Sequence, residues 1–364
     1  MAKVFKHSHF KADMHGHGGN KRTAQINELL HTAGIKFEEV NFDEYEPAPN
    51  HIQSFLKGSS VLKYLSLGIK STYAIGRYLL KFESFIKNCK PDLFIWESTS
   101  GYYLLLAEVL RKHQIPFIAI PHNIESLVIG NESAFSKQKS PSWFKEEIAF
   151  LKLANKVFTI SREESWLLSI YGLSSAYLPY SPPQPLMEHF LQVKEKRKAR
   201  KYLVAEKINL FLLGTFHNPP TYKGYLAIIG ALSNLEFVQL KVAGFGSEQL
   251  KTPALAANIE VLGTLSFNEL LETVEQADYA LIHQEPSSGS LTRIPELLAC
   301  GLPIIANDSA SRSFYNYPGV VTYHDVDGLI NLLSQQNPHL TSALRPVSEE
   351  ENFKNCIRNL QSER

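Results

Sequence analysis

Cysteine is scarce in this chain. There are three, Cys89, Cys300 and Cys356, an odd number at wide spacing. They match neither a disulfide framework nor a zinc motif, and a reducing compartment follows. Net charge is nearly absent as well: 37 Lys and Arg stand against 36 Asp and Glu, leaving +1. No global field recruits nucleic acid, and none is expected as a partner. No apolar run reaches the roughly 20 residues of a membrane span. Met1–Phe10 is polar and His-bearing rather than a secretory leader. A cytoplasmic protein is expected. The G-x-G-x-x-G dinucleotide fingerprint is also missing.

What is present suits two globular domains. At 44% hydrophobic and 364 residues, the chain has enough apolar material for two cores. Short apolar strands alternate with helices. Strands are expected near Val4–His9, Phe37–Phe42, Leu93–Glu97, Pro116–Pro121, Lys156–Ile160 and Tyr177–Pro179. Helices are expected near Thr23–Thr32, Ser59–Tyr64, Ser71–Asn88, Tyr102–His113, Pro141–Leu153 and Glu163–Tyr171, the last capped by Ser161. Pro47–Ser54 reads as loop. Ser181–Pro185 (SPPQP) is the strongest punctuation and reads as an interdomain hinge. The alternation then restarts, with strands near Asn209–Leu213, Val238–Ala243, Ile259–Val261, Tyr279–Ile282, Pro303–Ala306 and Val320–Tyr323. Such an order argues for parallel sheets with helices on both faces.

Several loops at strand ends carry polar or flexible residues. Gly18 and Gly19 lie between the first strand and its helix, where glycine admits close approach of a ligand. His7, His9, Asp13, His15 and His17 cluster nearby. Two H-x-H pairs resemble the opening of metal-dependent hydrolases, yet the hinge and the restarted alternation argue against one closed barrel, and no metal is expected. Pro121–Ser126 (PHNIES) places His122, Asn123 and Glu125 after a buried strand. Gly214–Gly224 (GTFHNPPTYKG) offers Thr215, His217, Asn218 and Lys223. Ala243–Glu248 (AGFGSE) is a glycine-flanked turn. Leu281–Asn307 runs from an apolar strand through a Ser/Gly turn into a helix that starts with Arg293 and Glu296. Helix-start N–H groups beside a guanidinium suit a phosphate ester, and a carboxylate one turn on suits a sugar diol. Lysines and Arg77 stud the amphipathic stretch 57–90. That pattern fits either a solvated helix face or peripheral contact with an anionic bilayer. The basic run Lys194–Lys201 reads as a solvated face.

Taken together, GTF…YKG, VAGFGSE, Asn258–Ile282 and GSLTRIPELLACGLPIIAN (Gly289–Asn307) resemble the family 4 glycosyltransferases of the GT-B fold. The first half agrees more loosely, through Gly18-Gly19, PHNIES and VFTISREES (Val157–Ser165). The resemblance implies an α/β chain with two Rossmann-like domains facing across a cleft. It implies an acceptor domain over residues 1–180, a donor domain over 181–347, and a C-terminal helix, 348–364, that crosses back to the first.

The same resemblance implies the site. Glu296 holds the nucleotide ribose. Arg293 and Lys223 face the diphosphate, with His122 near the transferred sugar. Gly214, Thr215, His217, Asn218, Gly244, Leu262, Ser288, Gly289, Ser290, Leu291 and Thr292 surround the donor. His17, Gly18, Gly19, Asn123 and Glu125 lie on the acceptor side. Ser288 stands where the family carries the first of two glutamates eight residues apart, the second being Glu296, and Glu285 is nearby at the wrong spacing. The implied activity is sugar transfer with retention from a UDP- or GDP-linked donor to a glycan, lipid-linked or protein acceptor, in bacterial surface polysaccharide or glycoconjugate synthesis. No cofactor beyond the nucleotide sugar is expected. A cytoplasmic location, or one at the inner face of the membrane, fits. Two other classes compete: a non-catalytic glycosyltransferase-like partner subunit, motivated by Ser288, and a metal-dependent hydrolase built on the N-terminal histidines.

Overall fold

The computed structural model describes residues 2–46, 50–61, 68–199, 207–217, 219–251, 255–335 and 345–362. Two compact units emerge. Unit 1 comprises Met1–Asp13, Arg22–Pro179 and Pro346–Arg364; unit 2 comprises Met14–Lys21 and Tyr180–Arg345.

In unit 1 the strands are β1 (Val4–His7), β2 (Phe37–Glu39), β3 (Leu93–Trp96), β4 (Phe117–Ala119), β5 (Lys156–Thr159) and β6 (Ser175–Tyr177). They form one parallel sheet in the order β2-β1-β3-β4-β5-β6. The helices are α1 (Gly18–Thr32), α2 (His51–Ser59), α3 (Ile69–Cys89), α4 (Leu105–Lys112), α5 (Ser142–Leu151) and α6 (Arg162–Ile170). Side chains alternate across the sheet, as the pleat requires. Phe5, Phe94 and Trp96 enter a core with Phe82 and Phe85 of α3. Val4, Leu93 and Ile95 enter another with Ile26 and Leu29 of α1. Both faces are therefore covered at the sheet centre, which explains why β3, Leu93–Trp96, reads as a continuous apolar run.

Unit 2 is likewise a six-stranded parallel sheet with helices, but its strand order differs. Its helices are α7 (Gln184–Ala199), α8 (Pro219–Leu232), α9 (Phe267–Gln276), α10 (Arg293–Ala299), α11 (Asp308–Ser311) and α12 (Val326–Gln335). Its strands are β7 (Ile208–Leu213), β8 (Val238–Ala243), β9 (Ile259–Gly263), β10 (Tyr279–Ile282), β11 (Ile304–Asn307) and β12 (Val320–Tyr323), parallel in the order β12-β11-β10-β7-β8-β9. The last helix, α13 (Val347–Ser362), places Phe353 and Ile357 in the unit 1 core beside Ile26, in agreement with the expected return of the C terminus.

Three local differences from the sequence reading have physical causes. Helix α1 begins at Gly18 rather than Thr23, because the His17 imidazole accepts the Gly19 N–H at 3.2 Å. Residues 51–54 are helix rather than loop: the Asn50 side chain accepts the Gln53 N–H at 2.9 Å and starts α2. Such a cap contributes about 1 kcal/mol. Ser59 ends that helix instead of opening one, and positions 62–64 lie outside the described residues. The Ser161 cap forms as expected, accepting the Glu164 N–H at 3.2 Å.

Candidate functional site

In unit 2 the chain reverses its direction of winding between β7 and β10. It runs outward through β8 and β9 on one side and through β10, β11 and β12 on the other. Loops after such a pair diverge, and the opening between them is where ligands enter parallel sheets. Two segments of interest leave from there: Gly214–His217 after β7 and His283–Thr292 after β10.

Backbone approaches closely at this opening. Gly244 has φ of +127°, and a Cβ there would lie 1.8 Å from the Gly214 carbonyl oxygen. A Cβ on Gly214 would in turn lie 2.6 Å from the Tyr225 ring. Neither position admits a larger residue without a shift of the floor of the site. Tyr225 is fully buried and donates its hydroxyl to the Leu213 carbonyl at 2.5 Å. Beside it, His283 pairs through Nδ1 with the Tyr323 hydroxyl at 2.6 Å, and its ring fills the space a Cβ of Gly224 would need. Burial holds the His283 imidazole below its ordinary range.

The Ser/Gly turn after β10 is pinned by side chains. Asn307 accepts the Gln284 N–H at 3.0 Å and donates to the Gln284 carbonyl at 2.9 Å. Gln284 also donates to Ser287. Gly289 takes φ of +75°, and the Arg312 guanidinium donates to its carbonyl. Arg293 opens α10 and donates to Gln284 Oε1 at 3.4 Å, while its buried Nε has no hydrogen-bond partner among the described residues. A buried donor left unmade costs about 1–3 kcal/mol.

Glu296 lies one turn into α10 and is 7% exposed. Its carboxylate is already engaged. The Lys21 ammonium, on the first turn of α1, reaches Oε2 at 2.7 Å, and the Tyr180 hydroxyl donates to Oε1 at 2.9 Å. The space a Cβ on Gly18 would take lies 3.3 Å from Thr292 Oγ1, and the His15 ring meets Phe267 edge-on at 4.7 Å. These contacts explain why Met14–Lys21, read from sequence as part of the first domain, groups with unit 2.

Unit 1 has its own reversal between β1 and β3. Glu97, just past β3, is fully buried. Lys6 faces it at 2.9 Å, Thr23 donates to Oε2 at 2.9 Å, and His122 Nε2 lies 3.3 Å from the same oxygen. Burial alone would raise this carboxyl, but Lys6 and His122 outweigh it and bring it down to about 2. The loop carrying His122 is held from beneath. Glu147, fully buried on α5, accepts the N–H groups of Glu125 and Ser126, both at 2.9 Å. Burial pushes Glu147 up to about 7 despite those hydrogen bonds, and raises Glu125, which accepts from Asn131 at 3.1 Å.

The N-terminal histidines are packed as side chains of a wall. His7 stacks on Tyr103 with centroids 4.7 Å apart and pairs with Ser98 at 2.6 Å, and His9 pairs with Ser100 at 2.9 Å. Burial first, then His9 and Lys6, pull His7 down to about 3. No group of three or more His, Cys, Asp or Glu able to hold a metal occurs among the described residues.

Of the residues singled out from sequence, Gly214 and Gly244 approach each other at the β7/β10 opening, and Gly289, Arg293 and Glu296 lie on the turn and helix that follow β10. Ser288, Ser290, Leu291 and Thr292 lie half-buried on the turn and the start of α10, and Leu262 is half-buried on β9. Thr215, His217 and Lys223 are exposed, and Asn218 lies outside the described residues. His122, Asn123 and Glu125 belong to unit 1. Glu285 is exposed and stands 4.0 Å from His283. Lys21, Tyr180, Glu97, Lys6, His283 and Arg312 were missed. Each gains its place from a partner distant in sequence, and nothing local marked them.

No sequence family and no curated sequence matches the chain. Solved structures do. Sucrose-phosphate synthase from Thermosynechococcus elongatus superposes with a TM-score of 0.67 at 15% identity, covering 100% of both chains. HepE of Anabaena, solved in complex with UDP and glucose, gives 0.56 at 12% identity over 100% of this chain and 98% of its own. UDP-GlcNAc 2-epimerase from Methanocaldococcus jannaschii gives 0.52 at 11% identity over 98% and 99%. The chain has the GT-B fold, with two Rossmann-like units. A fold alone does not choose among the activities it hosts.

Proposed function

We propose that this chain is a glycosyltransferase that uses a nucleotide-diphosphate sugar. Unit 2 takes the donor and unit 1 the acceptor, as the resemblance to family 4 enzymes implies. The observation that carries the reading is the β7/β10 opening. Its helix α10 carries a nearly buried carboxylate on Glu296 and, three positions earlier, an arginine whose buried Nε has no partner among the described residues. One group suits a ribose diol and the other a phosphate oxygen. Sucrose-phosphate synthase by its name, and HepE with its bound UDP and glucose, support the same chemistry.

In the proposed reaction the bond from the anomeric carbon to the phosphate oxygen breaks. The acceptor hydroxyl bonds to that carbon from the same face, giving retention, and its proton passes to the departing diphosphate. Negative charge grows on the leaving oxygen, so fixed positive groups there lower the barrier. Arg293 and the amides of Ser288–Leu291 supply them, with Lys223 reaching in from α8. In unit 1, His122, held by Glu97, is the group suited to hydrogen-bond a sugar hydroxyl. Ser288 does not replace the carboxylate of family members, so contact with the donor sugar falls to neighbouring turn residues. The donor is UDP- or GDP-linked, and the acceptor is a glycan, lipid or protein of bacterial surface polysaccharide assembly. Exposed Ile52, Phe55, Leu56 and Ile69 on α2 and α3, beside Lys70, offer a peripheral contact with a membrane.

A metal-dependent hydrolase is not favoured: the sheets are open rather than closed into a barrel. A thermal-shift panel of nucleotides and nucleotide sugars tests the proposal. One nucleoside diphosphate and its sugar should raise Tm through linkage. A flat panel at millimolar ligand contradicts the reading.

A further inference from the structure

Glu296, the carboxylate proposed to bind ribose, is held by Lys21 and Tyr180. Lys21 Nζ sits 2.7 Å from one oxygen of Glu296, and Tyr180 donates to the other at 2.9 Å. The three side chains form a small, nearly buried constellation: the side chain of Lys21 is 18% exposed and that of Glu296 is 9% exposed. An ionised carboxylate offers about four lone-pair sites. Lys21 and Tyr180 occupy one on each oxygen. The two that remain match the two hydroxyls of a vicinal diol. The ammonium also offsets the cost of burying the carboxylate, which would otherwise be large.

Both partners are themselves fixed. Lys21 is followed directly by Arg22, a fully buried guanidinium that donates to the carbonyls of Leu178 at 2.7 Å and Pro179 at 3.2 Å. Gln25 donates to the Pro179 carbonyl at 2.9 Å. Those carbonyls immediately precede Tyr180. Lys21 and Tyr180 thus adjoin, in sequence, two segments that Arg22 and Gln25 tie together. With one carboxylate oxygen assigned to each, rotation of the Glu296 carboxylate would break both contacts.

We propose that Lys21 and Tyr180 are positioning residues that lock the Glu296 carboxylate in the orientation that recognises a cis-diol, so that together they set discrimination for a ribonucleotide. This rests on the reading of unit 2 as a nucleotide-sugar donor site. A merely structural role would weaken binding of all nucleotides alike. A positioning role removes the preference for ribose in particular.

The test compares binding of UDP, GDP and ADP with binding of their 2′,3′-dideoxy counterparts by calorimetry. The purified full-length chain is used with Lys21→Met, Lys21→Arg, Tyr180→Phe and Glu296→Gln. The wild type should prefer the ribose form of its nucleotide by about 10- to 100-fold, the worth of one or two hydrogen bonds to a charged group. Lys21→Met and Tyr180→Phe should each reduce that ratio to a few-fold, towards Glu296→Gln, with the dideoxy affinity unchanged. Lys21→Arg should restore most of it. Tyr180→Phe keeps the ring and loses only the hydroxyl, so it remains informative if Lys21→Met does not fold. Full discrimination in both Lys21→Met and Tyr180→Phe overturns the proposal alone. Equal loss of ribose and dideoxy affinity does the same. Failure of the wild type to bind any of the three ribonucleotides overturns the donor-site reading and this proposal together.

Discussion

At the scale of the residue, the two cations expected at the phosphate differ in how the structure holds them. Arg293 is anchored to Gln284 with its Nε buried, whereas Lys223 lies exposed on α8. A preorganised donor costs nothing to reorganise during reaction; a mobile lysine must be recruited. Arg293→Ala should therefore lower kcat/KM about 10²–10³-fold, equivalent to about 2.7–4 kcal/mol. Lys223→Ala should cost less than about tenfold. Steady-state kinetics with one nucleotide sugar decides, and equal losses at the two positions would contradict the distinction. His7 gives a second prediction, in pH. Its imidazole is drawn from 6.5 to about 3, chiefly by burial. Between those values the unfolded chain takes up a proton that the folded chain refuses. Its contribution is fully present above about 6.5 and is lost as pH falls towards 3. Glu97, also lowered, acts in the same direction below 4.5. The Tm of the wild type should fall more steeply between pH 7 and 4.5 than that of His7→Phe. Parallel curves would show that His7 carries none of the effect.

At the scale of the element, helices α2 and α3 cross at a pair of glycines. A Cβ on Gly58 would lie 1.9 Å from the Thr72 carbonyl oxygen, and one on Gly76 would lie 1.6 Å from that of Ser54. Gly76→Ala should destabilise the chain by about 1–3 kcal/mol, because backbone must move to admit the methyl. Gly230→Ala, where a Cβ on α8 meets nothing within 4 Å, should stabilise it by about 0.4–1 kcal/mol. Urea unfolding of the two variants should move the midpoint in opposite directions; a shared direction would contradict the packing account. Elements of this kind were unevenly legible. β8, β10 and β12 follow their expected bounds: β10 is a fully buried apolar run, β8 alternates buried apolar with half-buried polar residues, and β12 is a short β-branched edge strand. Helix α2 was misread because its signal is one capping asparagine beside Pro47 and Pro49 rather than a long apolar stripe. The Ser/Gly turn and α10 were legible as elements because a cluster of Ser and Gly ahead of an apolar helical run is a local signal. Lys21 and Tyr180 were not, since they lie 275 and 116 positions from the carboxylate they hold. Only the folded chain supplies such proximity.

At the scale of the whole molecule, two six-stranded parallel sheets of different strand order, one in each unit, organise the described residues. Similar folds serve a synthase, a UDP- and glucose-bound protein and an epimerase. The proposed positive groups come from the protein, so turnover should be unchanged within about twofold by EDTA; a loss restored by a divalent cation would contradict that assignment. No helix among the described residues is long and apolar enough to cross a membrane. Contact with a bilayer, if made through Phe55 and Leu56, should appear as salt-sensitive co-sedimentation with vesicles rich in phosphatidylglycerol. Phe55→Ser with Leu56→Ser should abolish it; sedimentation unaffected by the double substitution would assign the contact elsewhere. The central claim, a nucleotide-sugar site at the β7/β10 opening, is tested most directly by nucleoside diphosphate release. The purified chain is incubated with UDP- and GDP-linked sugars, alone and with candidate acceptors, beside Glu296→Ala and Arg293→Ala. The account predicts release by the wild type from one donor class, with KM raised by Glu296→Ala and kcat lowered by Arg293→Ala. Undiminished release by both variants would place the chemistry elsewhere in the chain and contradict the account.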